Sequence, residues 1–268
     1  DGMDVINFSG GEPEIEPSRD IVALALDAAA AAGVVPVVAA GNDYNDLGAG
    51  SVSSPGNSSR AISVGAVDIS GTPMTRTHAE FSSVGPTTIS LRLKPDVAAP
   101  GVDVLSSVPG GGFTELSGTS MAAPHIAGAA ALLRQRHQEW TVEQLKSALV
   151  QSGVDAVDGR DRPAGPRFQG GGVVALTNAD QPLLFAEPTA VSLGLLRRGR
   201  EASASVRVDD AGGGSGTWQV ARVVRSAPAG AGLRSGVAHG LRGRARGRLR
   251  RHAAHVGGGQ PPRQRTHR

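Results

Sequence analysis

The sequence predicts an α/β protein with a mostly parallel sheet, and two kinds of observation support this class. Continuous apolar runs at residues 34–40 and 61–67 are typical of strands that are covered on both faces. A strand-like segment at 4–9 precedes them, and an alanine-rich segment with the signals of a helix lies in between. The order strand, helix, strand, strand is typical of a parallel sheet with crossover helices.

Capping residues predict where two helices begin and end. Ser18 is the expected N-cap of the alanine-rich helix, and Gly33 stands just beyond its last turn, where glycine is favoured. Thr141 and Gln144 have the spacing of a capping box, which opens an amphipathic helix that continues to Val150.

A third helix is expected between Ser120 and about Gln135. Its residues are small and apolar nearly all round, so we expect it to be buried. Pro124 has no N–H to donate to the carbonyl four residues earlier, and we therefore expect the regular helix to begin a few residues after Ser120. Short strands are expected at 96–98 and 102–108.

Pattern divides the chain of 268 residues into three regions. Residues 1–179 form the compact body. Residues 180–224 alternate apolar and polar positions at 191–195 and 204–208, which predicts the opening strands of a small β unit. This segment resembles part of a β-sandwich domain of the fibronectin type III kind. Residues 225–268 are rich in Arg and Gly and have no hydrophobic period, so we expect a disordered tail.

The basic residues are concentrated in that tail. Residues 1–210 carry 15 Lys and Arg against 24 Asp and Glu, a net charge of −9, whereas the other 12 basic residues lie in 222–268. An acidic body argues against nucleic acid as a partner. The tail has two interpretations: a segment translated out of frame, or a polybasic arm that binds nucleic acid. No aromatic residue follows Trp218 to stack on bases, which speaks against the second.

The segment Gly-Thr-Ser-Met-Ala-Ala-Pro-His at 118–125 places a serine where a loop enters a helix. This position gives a hydroxyl exposure and the positive end of the helix dipole, and Gly118 lets a substrate approach the backbone closely. An isolated serine here would be an ordinary N-cap. The whole segment, however, resembles the active-serine motif of the subtilisin-like serine proteases. The resemblance implies that Ser120 is the nucleophile and that His125 is structural.

Two further segments resemble the same family. Residues 37–42, Val-Val-Ala-Ala-Gly-Asn, are similar to a strand end whose asparagine donates its side-chain amide to the oxyanion. The resemblance assigns this role to Asn42, and it assigns a wall of the pocket for the residue before the scissile bond to Ala39, Ala40 and Gly41.

Ser9, Gly10 and Gly11 are similar to the family's substrate-binding edge, which pairs with an extended peptide, although the segment is one residue shorter here. An ordinary glycine turn is the alternative for this segment. No cysteine is present to form a disulfide, and no run of about 18 apolar residues predicts a membrane span.

The resemblance covers residues 1–179 and implies a three-layer subtilisin-like fold that hydrolyses peptide bonds through an acyl-enzyme on Ser120. The family's Asp-Ser/Thr-Gly and His-Gly-Thr triplets, which mark the other two residues of the triad, do not occur. We therefore expect a catalytic domain without its N-terminal portion and a chain that is inactive alone. The resemblance also implies polypeptide substrates and a secreted location, and it allows bound calcium without identifying ligands.

Two other functions stay open. A subtilase relative that has lost its triad would act as a binding module, although the intact Ser120 and Asn42 speak against it. An esterase of the α/β-hydrolase class would need the pattern Gly-x-Ser-x-Gly, and Ala122 stands at its last position. The oligomeric state is not indicated by the sequence.

Overall fold

The computed structural model describes residues 2–71, 74–195 and 202–212, together with the backbone of four short strands within 217–268. Of these strands, Thr217–Trp218 pairs with Leu241–Arg242 and Leu233–Ser235 pairs with Val256–Gly258, both antiparallel. Apart from these strands, residues 225–268, for which we expect disorder, lie outside the described residues. Most of the glycine-rich turn after residue 212 also lies outside them.

The rest of the described chain contains nine strands and six helices. The strands are β1 (Val5–Phe8), β2 (Val35–Ala39), β3 (Ile62–Asp68), β4 (Thr77–His78), β5 (Val97–Pro100), β6 (Val104–Ser107), β7 (Phe113–Leu116), β8 (Leu184–Glu187) and β9 (Arg207–Asp210). The helices are α1 (Ile21–Ala31), α2 (Tyr44–Leu47), α3 (Thr119–Arg136), α4 (Val142–Gln151), α5 (Pro166–Gln169) and α6 (Leu176–Ala179).

The central sheet is mostly parallel, as the sequence predicts. β2 lies between β1 and β3, and β5 pairs with β3; all of these pairings are parallel. Only the short β4 runs antiparallel, along the last two residues of β3. Two antiparallel pairs, β6 with β7 and β8 with β9, lie outside this sheet.

Helices cover both faces of the sheet and complete a three-layer architecture. Val37 and Ala39 of β2 belong to the main core together with α3 residues, whereas Val38 packs with Leu26 of α1 in a separate cluster. Successive side chains of a strand point to opposite faces, so a strand between two helical layers must be apolar throughout. This requirement explains the continuous apolar run at 34–40.

Helix α1 begins two residues later than predicted. Asp20, not Ser18, is the N-cap, because its carboxylate accepts hydrogen bonds from the N–H groups of Val22 and Ala23 at 2.8 and 3.1 Å. Ser18 lies in the preceding turn. Gly33, with φ +96°, occupies the predicted position after the helix. The capping box of α4, between Thr141 and Gln144, is also confirmed.

Helix α3 begins at Thr119, so the prediction that Pro124 would delay its start is wrong. Pro124 leaves the carbonyl of Ser120 without its usual N–H partner four residues later. The hydroxyl of Ser9, at the end of β1, donates to this carbonyl at 2.9 Å. A contact from a distant segment thus replaces the missing hydrogen bond of the helix.

The strands after the main sheet differ from the prediction. The segment expected as one strand at 102–108 contributes β6, which forms a hairpin with an unpredicted β7. Residues 191–195 form no strand; β8 pairs with β9 instead. Contacts with α4 and with the residue before its N-cap favour β8, since the Ala186 N–H donates to Ser147 Oγ at 2.7 Å and Phe185 packs edge-on against Trp140.

Two lysines and one aspartate form a buried charged cluster between β5 and α4. Asp96 Oδ2 lies 2.6 Å from Lys94 Nζ and 3.1 Å from Lys146 Nζ, and it also accepts the Ser63 N–H at 2.9 Å. Burial alone would raise the pKa of Asp96, but the two ammonium groups outweigh it and hold this pKa below its usual value. Burial lowers the pKa of Lys94 to about 8, against the opposing attraction of Asp96.

We expect the Asp96→Asn variant to lose about 3–5 kcal/mol of unfolding free energy, because two buried ammonium groups would then lack their counter-charge. Urea unfolding followed by circular dichroism measures this loss. The matched control is Glu139→Gln, an exposed acid for which a change within about 0.5 kcal/mol is expected. Equal stability of Asp96→Asn and the control would contradict a role for the cluster in folding.

His78 lies in an aromatic cluster at the end of β4. Its ring packs edge-on against Tyr44 and Phe168, with centroid distances of 5.9 and 5.0 Å. Its Nε2 is buried and has no hydrogen-bond partner within the described part of the chain. Burial lowers the pKa of His78 to about 4, outweighing a backbone hydrogen bond at Ser82. The folded protein therefore holds this imidazole in its neutral form.

This shift predicts a pH dependence of stability. Between about pH 6.5 and 4 the unfolded chain binds a proton at His78 that the folded chain does not, so the unfolding free energy falls as the pH falls through this window. The expected loss is about 1–3 kcal/mol. His78→Phe keeps the ring contacts and should remove this component, which urea unfolding at a series of pH values would show. Parallel pH profiles of the two proteins would refute the prediction.

Candidate active site

Ser120 lies in the first turn of α3, against the end of β1. Its Oγ donates a hydrogen bond to the carbonyl oxygen of Ser9 at 3.3 Å, while the Ser9 hydroxyl donates to the carbonyl of Ser120. The side chain of Ser120 is half-buried. Two segments far apart in sequence therefore hold this serine at the N-terminal end of a buried helix, where the helix dipole favours negative charge.

Thr119 fixes the orientation of the Asn42 side chain. Asn42 Oδ1 accepts hydrogen bonds from the Thr119 N–H at 2.8 Å and from Thr119 Oγ1 at 2.9 Å. A backbone N–H can only donate, so the oxygen of the amide must face Thr119. The Nδ2 group of Asn42 is consequently directed away from Thr119.

Two nitrogen atoms that carry N–H groups, Asn42 Nδ2 and the Ser120 backbone nitrogen, lie near the space beside Gly118. A methyl group built on Gly118 would lie 3.4 Å from Asn42 Nδ2 and 3.7 Å from the Ser120 backbone nitrogen. Because glycine has no side chain, this space stays open. The backbone N–H of Ser120, at the start of the helix, has no acceptor among the described residues. The two donors next to the Ser120 hydroxyl can together bind one oxygen atom that carries negative charge.

A cleft of about 690 Å³ opens beside Ser120. Six of the predicted site residues line it: Gly10, Gly11, Ala39, Gly41, Asn42 and Ser120. Ser9 and Gly118 contact Ser120 or Asn42 without lining the cleft. Of the three residues predicted to form a pocket wall, Ala39 and Gly41 line the cleft, whereas Ala40 is fully buried on the opposite face of the chain from Ala39.

Glycines allow two chain segments to meet at the floor of this cleft. A methyl group on Gly11 would lie 2.5 Å from Ser53 Oγ, and one on Gly41, where φ is +112°, would lie 2.9 Å from the same atom. Ser53 Oγ in turn donates to the Ala40 carbonyl at 3.2 Å. The positive φ favours glycine at Gly41, and the absence of side chains at both positions lets Ser53 pack closely against them.

The sequence did not indicate three contributors to the site. Thr119 stands inside the serine motif, and its neighbour Ser120 carries the chemical signal. Ser53 and Ser83 come from loops without a recognisable pattern; Ser83 Oγ accepts the Asp43 N–H at 3.1 Å and lies close to Gly41. Only the folded arrangement brings these hydroxyl groups to the strand end.

No general base contacts the serine within the described residues. His125 is exposed, and its Nδ1 lies 2.9 Å from the Met121 carbonyl of its own helix, as expected for a structural residue. His78 belongs to the aromatic cluster beside a different cavity, of about 940 Å³, whose lining does not include Ser120.

Across the described ranges, no group of three or more His, Asp or Glu side chains is arranged to hold a metal ion. None of the helices in the same part of the chain combines the length and the apolar character needed to cross a bilayer.

Curated proteases of known sequence are similar to the body of the chain. Subtilisin NAT of Bacillus subtilis subsp. natto is 40% identical over 147 residues, which cover 55% of this chain and 35% of that protein. Subtilisin Savinase of Lederbergia lenta is 40% identical over 148 residues, covering 55% of this chain and 48% of the relative. The matched segment thus spans about a third to a half of the length of these relatives.

Solved structures share the fold. The patellamide maturation protease PatA superposes with a TM-score of 0.55 at 31% identity, covering 67% of this chain and 62% of that one. The prenylagaramide maturation protease PagA gives a TM-score of 0.54 at 28% identity, with coverage of 67% and 61%. The model of the subtilase family matches residues 1–172. With this match over most of its length, and with the three-layer fold around Ser120, the chain belongs to the subtilase family.

Proposed function

We propose that this chain provides the nucleophile and the oxyanion-binding site of a serine endopeptidase. One observation carries the proposal: Asn42 Nδ2 and the Ser120 backbone nitrogen lie 3.4 and 3.7 Å from the position that a methyl group on Gly118 would take, at the start of the helix that carries the Ser120 hydroxyl. Donors arranged in this way stabilise the tetrahedral intermediate of acyl transfer more than they stabilise the planar peptide group.

The chemistry follows from these positions. Ser120 Oγ attacks the carbonyl carbon of a peptide bond and loses its proton to a base, while the carbonyl oxygen becomes an oxyanion bound by Asn42 and the Ser120 N–H. The C–N bond then breaks, the amine leaves with a proton, and an ester on Ser120 remains. Water hydrolyses this ester and restores the free hydroxyl.

The backbone of residues 10 and 11 supports a polypeptide as substrate. Gly10 and Gly11 are exposed and line the cleft, and their backbone N–H and C=O groups form no hydrogen bond within the described chain. An extended peptide can pair with such an edge through main-chain hydrogen bonds. We propose Ser9, Gly10 and Gly11 as this binding edge, facing a wall of Ala39 and Gly41.

The proposed organisation has the catalytic domain at residues 1–179, a β-rich segment at 180–224 and a basic tail at 225–268. The packing of β8 on α4 supports a close association between the first two regions. The similarity to subtilisins also supports a secreted location. The triplets that mark the triad Asp and His in the family do not occur in these 268 residues, so we propose that the chain alone lacks its base.

The decisive experiment compares peptide hydrolysis by two proteins: the 268-residue chain, and the product that its gene encodes when the codons before Asp1 are included. We expect turnover only in the second, because removal of the serine or histidine from subtilisin costs about 2 × 10⁶ in kcat. In the active protein Ser120→Ala should abolish turnover, and Asn42→Ala should lower kcat by about 10²–10³, the range known for the oxyanion asparagine of subtilisin.

Matched controls carry the same changes outside the site. Ser106→Ala, on the exposed β6, and Asn45→Ala, on α2 outside the cleft, should leave kcat within about twofold. A second candidate function, a binding module without catalysis, would be favoured if the longer product binds peptides in the cleft but hydrolyses none. Full activity of Ser120→Ala would refute the proposed nucleophile.

Thr119 provides a separate test of the oxyanion site. Thr119→Val removes the hydroxyl that holds Asn42 Oδ1 and accepts the Gly41 N–H. We expect kcat to fall by about tenfold with little change in KM, since the donors act only in the transition state. Thr119→Ser keeps the hydroxyl and should restore kcat. A rise in KM at constant kcat would show that Thr119 acts in substrate binding instead.

A further inference from the structure

All the charged residues that line the cleft beside Ser120 in the described structure are acidic. Its lining residues include three acids, Glu12, Glu14 and Asp43, and no Lys, Arg or His is among those described. None of the three forms an ion pair with a described basic residue. Clefts with charges of one sign and low-dielectric walls attract ligands of the opposite charge.

Asp43 lies next to the floor of the cleft. Its Oδ2 would be 3.3 Å from a methyl group on Gly41, and Ser53 Oγ would be 2.9 Å from the same point. Although Asp43 stands at the N-cap of α2, its side chain makes no capping hydrogen bond in the described structure. The carboxylate is half-buried and has neither a helical nor a charged partner, so it is available to a ligand.

Glu14 is fixed in place and remains ionised. Its carboxylate accepts hydrogen bonds from Thr88 Oγ1 at 2.7 Å, from the Ile89 N–H at 2.8 Å and from Ser90. Burial alone would raise the pKa of Glu14, but these hydrogen bonds outweigh it and lower the pKa. Glu14 therefore keeps its negative charge. Its hydrogen bonds also connect the loop that contains Glu14 to the loop at residues 88–90.

Glu12 pairs with Ser54 through its main chain only, so its side chain is not needed for this pairing. The main chain of Glu12 exchanges two hydrogen bonds of 2.9 Å with Ser54, which anchors the segment after Gly11. The side chain itself is exposed and takes no part in this pairing. Its charge can therefore be removed without breaking the bridge.

We propose that the cleft selects substrates with a cationic side chain, Lys or Arg, at the residue before the scissile bond. This inference rests on the proposed protease function, because it treats the cleft as the pocket for the substrate residue before the scissile bond. Ala39 and Val52 supply apolar lining for the alkyl stem of such a side chain, and the volume of about 690 Å³ accommodates its length. The charged end then meets Asp43 and Glu12, and Ser53 Oγ offers a further acceptor.

A binding measurement tests the cleft without requiring catalysis. The 268-residue chain carrying Ser120→Ala is titrated with fluorescent peptide amides that differ at one residue only, which is Arg, Leu or Glu. We expect Arg to bind at least about tenfold more tightly than Leu, Glu to bind most weakly, and the Arg advantage to shrink with added salt. Equal binding of Arg and Leu, or no binding of any peptide, overturns the inference.

Charge removal identifies the residues responsible. Asp43→Asn and Glu12→Gln should each lower the Arg-to-Leu binding ratio by about threefold, and together by about tenfold. The matched control is Asp46→Asn, which removes an exposed charge of the same helix that does not line the cleft and should leave the ratio unchanged. A ratio that falls equally in the control would show a non-specific effect of net charge and overturn the assignment.

Turnover of the same peptides, as anilides, by the longer gene product separates the two proposals. Arg preference in binding without hydrolysis would sustain the cationic cleft and refute the proposed protease function. Hydrolysis with equal kcat/KM for the Arg and Leu peptides would support the proposed protease function and refute the cationic preference of the cleft. Agreement of both measurements supports a protease that cleaves after basic residues.

Discussion

The contact between the end of β1 and the first turn of α3 is the interaction on which the site depends. Pro124 deprives the Ser120 carbonyl of its helical partner, and the Ser9 hydroxyl replaces it. Because this contact supplies a partner for the carbonyl that Pro124 leaves free, it favours a helix start at Thr119 rather than beyond Pro124. It also places the Ser120 side chain and N–H at the edge where a peptide would bind.

The second constraint is the passage of β2 into the loop at Asn42. β2 is buried between two helical layers, so its end is fixed by packing on both faces. Thr119 then links this end to α3 through Asn42 Oδ1 and the Gly41 N–H. The positions of both proposed oxyanion donors, Asn42 and the Ser120 N–H, therefore follow from the core and not from the flexibility of a loop, which is the arrangement that electrostatic stabilisation requires.

The sequence predicted what local patterns encode. The buried strands, the capping box of α4 and the motif around Ser120 depend on neighbouring residues, and the motif also indicated the family. The sequence patterns did not predict that Asp20 caps α1 or that Ser9 supports α3. Both contacts depend on which of several polar residues reaches a free backbone group in the fold. Ser53 and the three carboxylates of the cleft were missed for the same reason: loops distant in sequence bring them together.

Two components of the chemistry are separable in this chain. The proposed oxyanion donors are positioned by Thr119, which binds Asn42, and by the start of α3, which carries the Ser120 N–H. Proton transfer from Ser120 requires a base that none of these contacts supplies, and its hydroxyl instead donates to the Ser9 carbonyl. A base introduced beside Ser120 would therefore meet donors that are already in position. It would need to displace one hydrogen bond of 3.3 Å, a modest cost compared with that of building the oxyanion site.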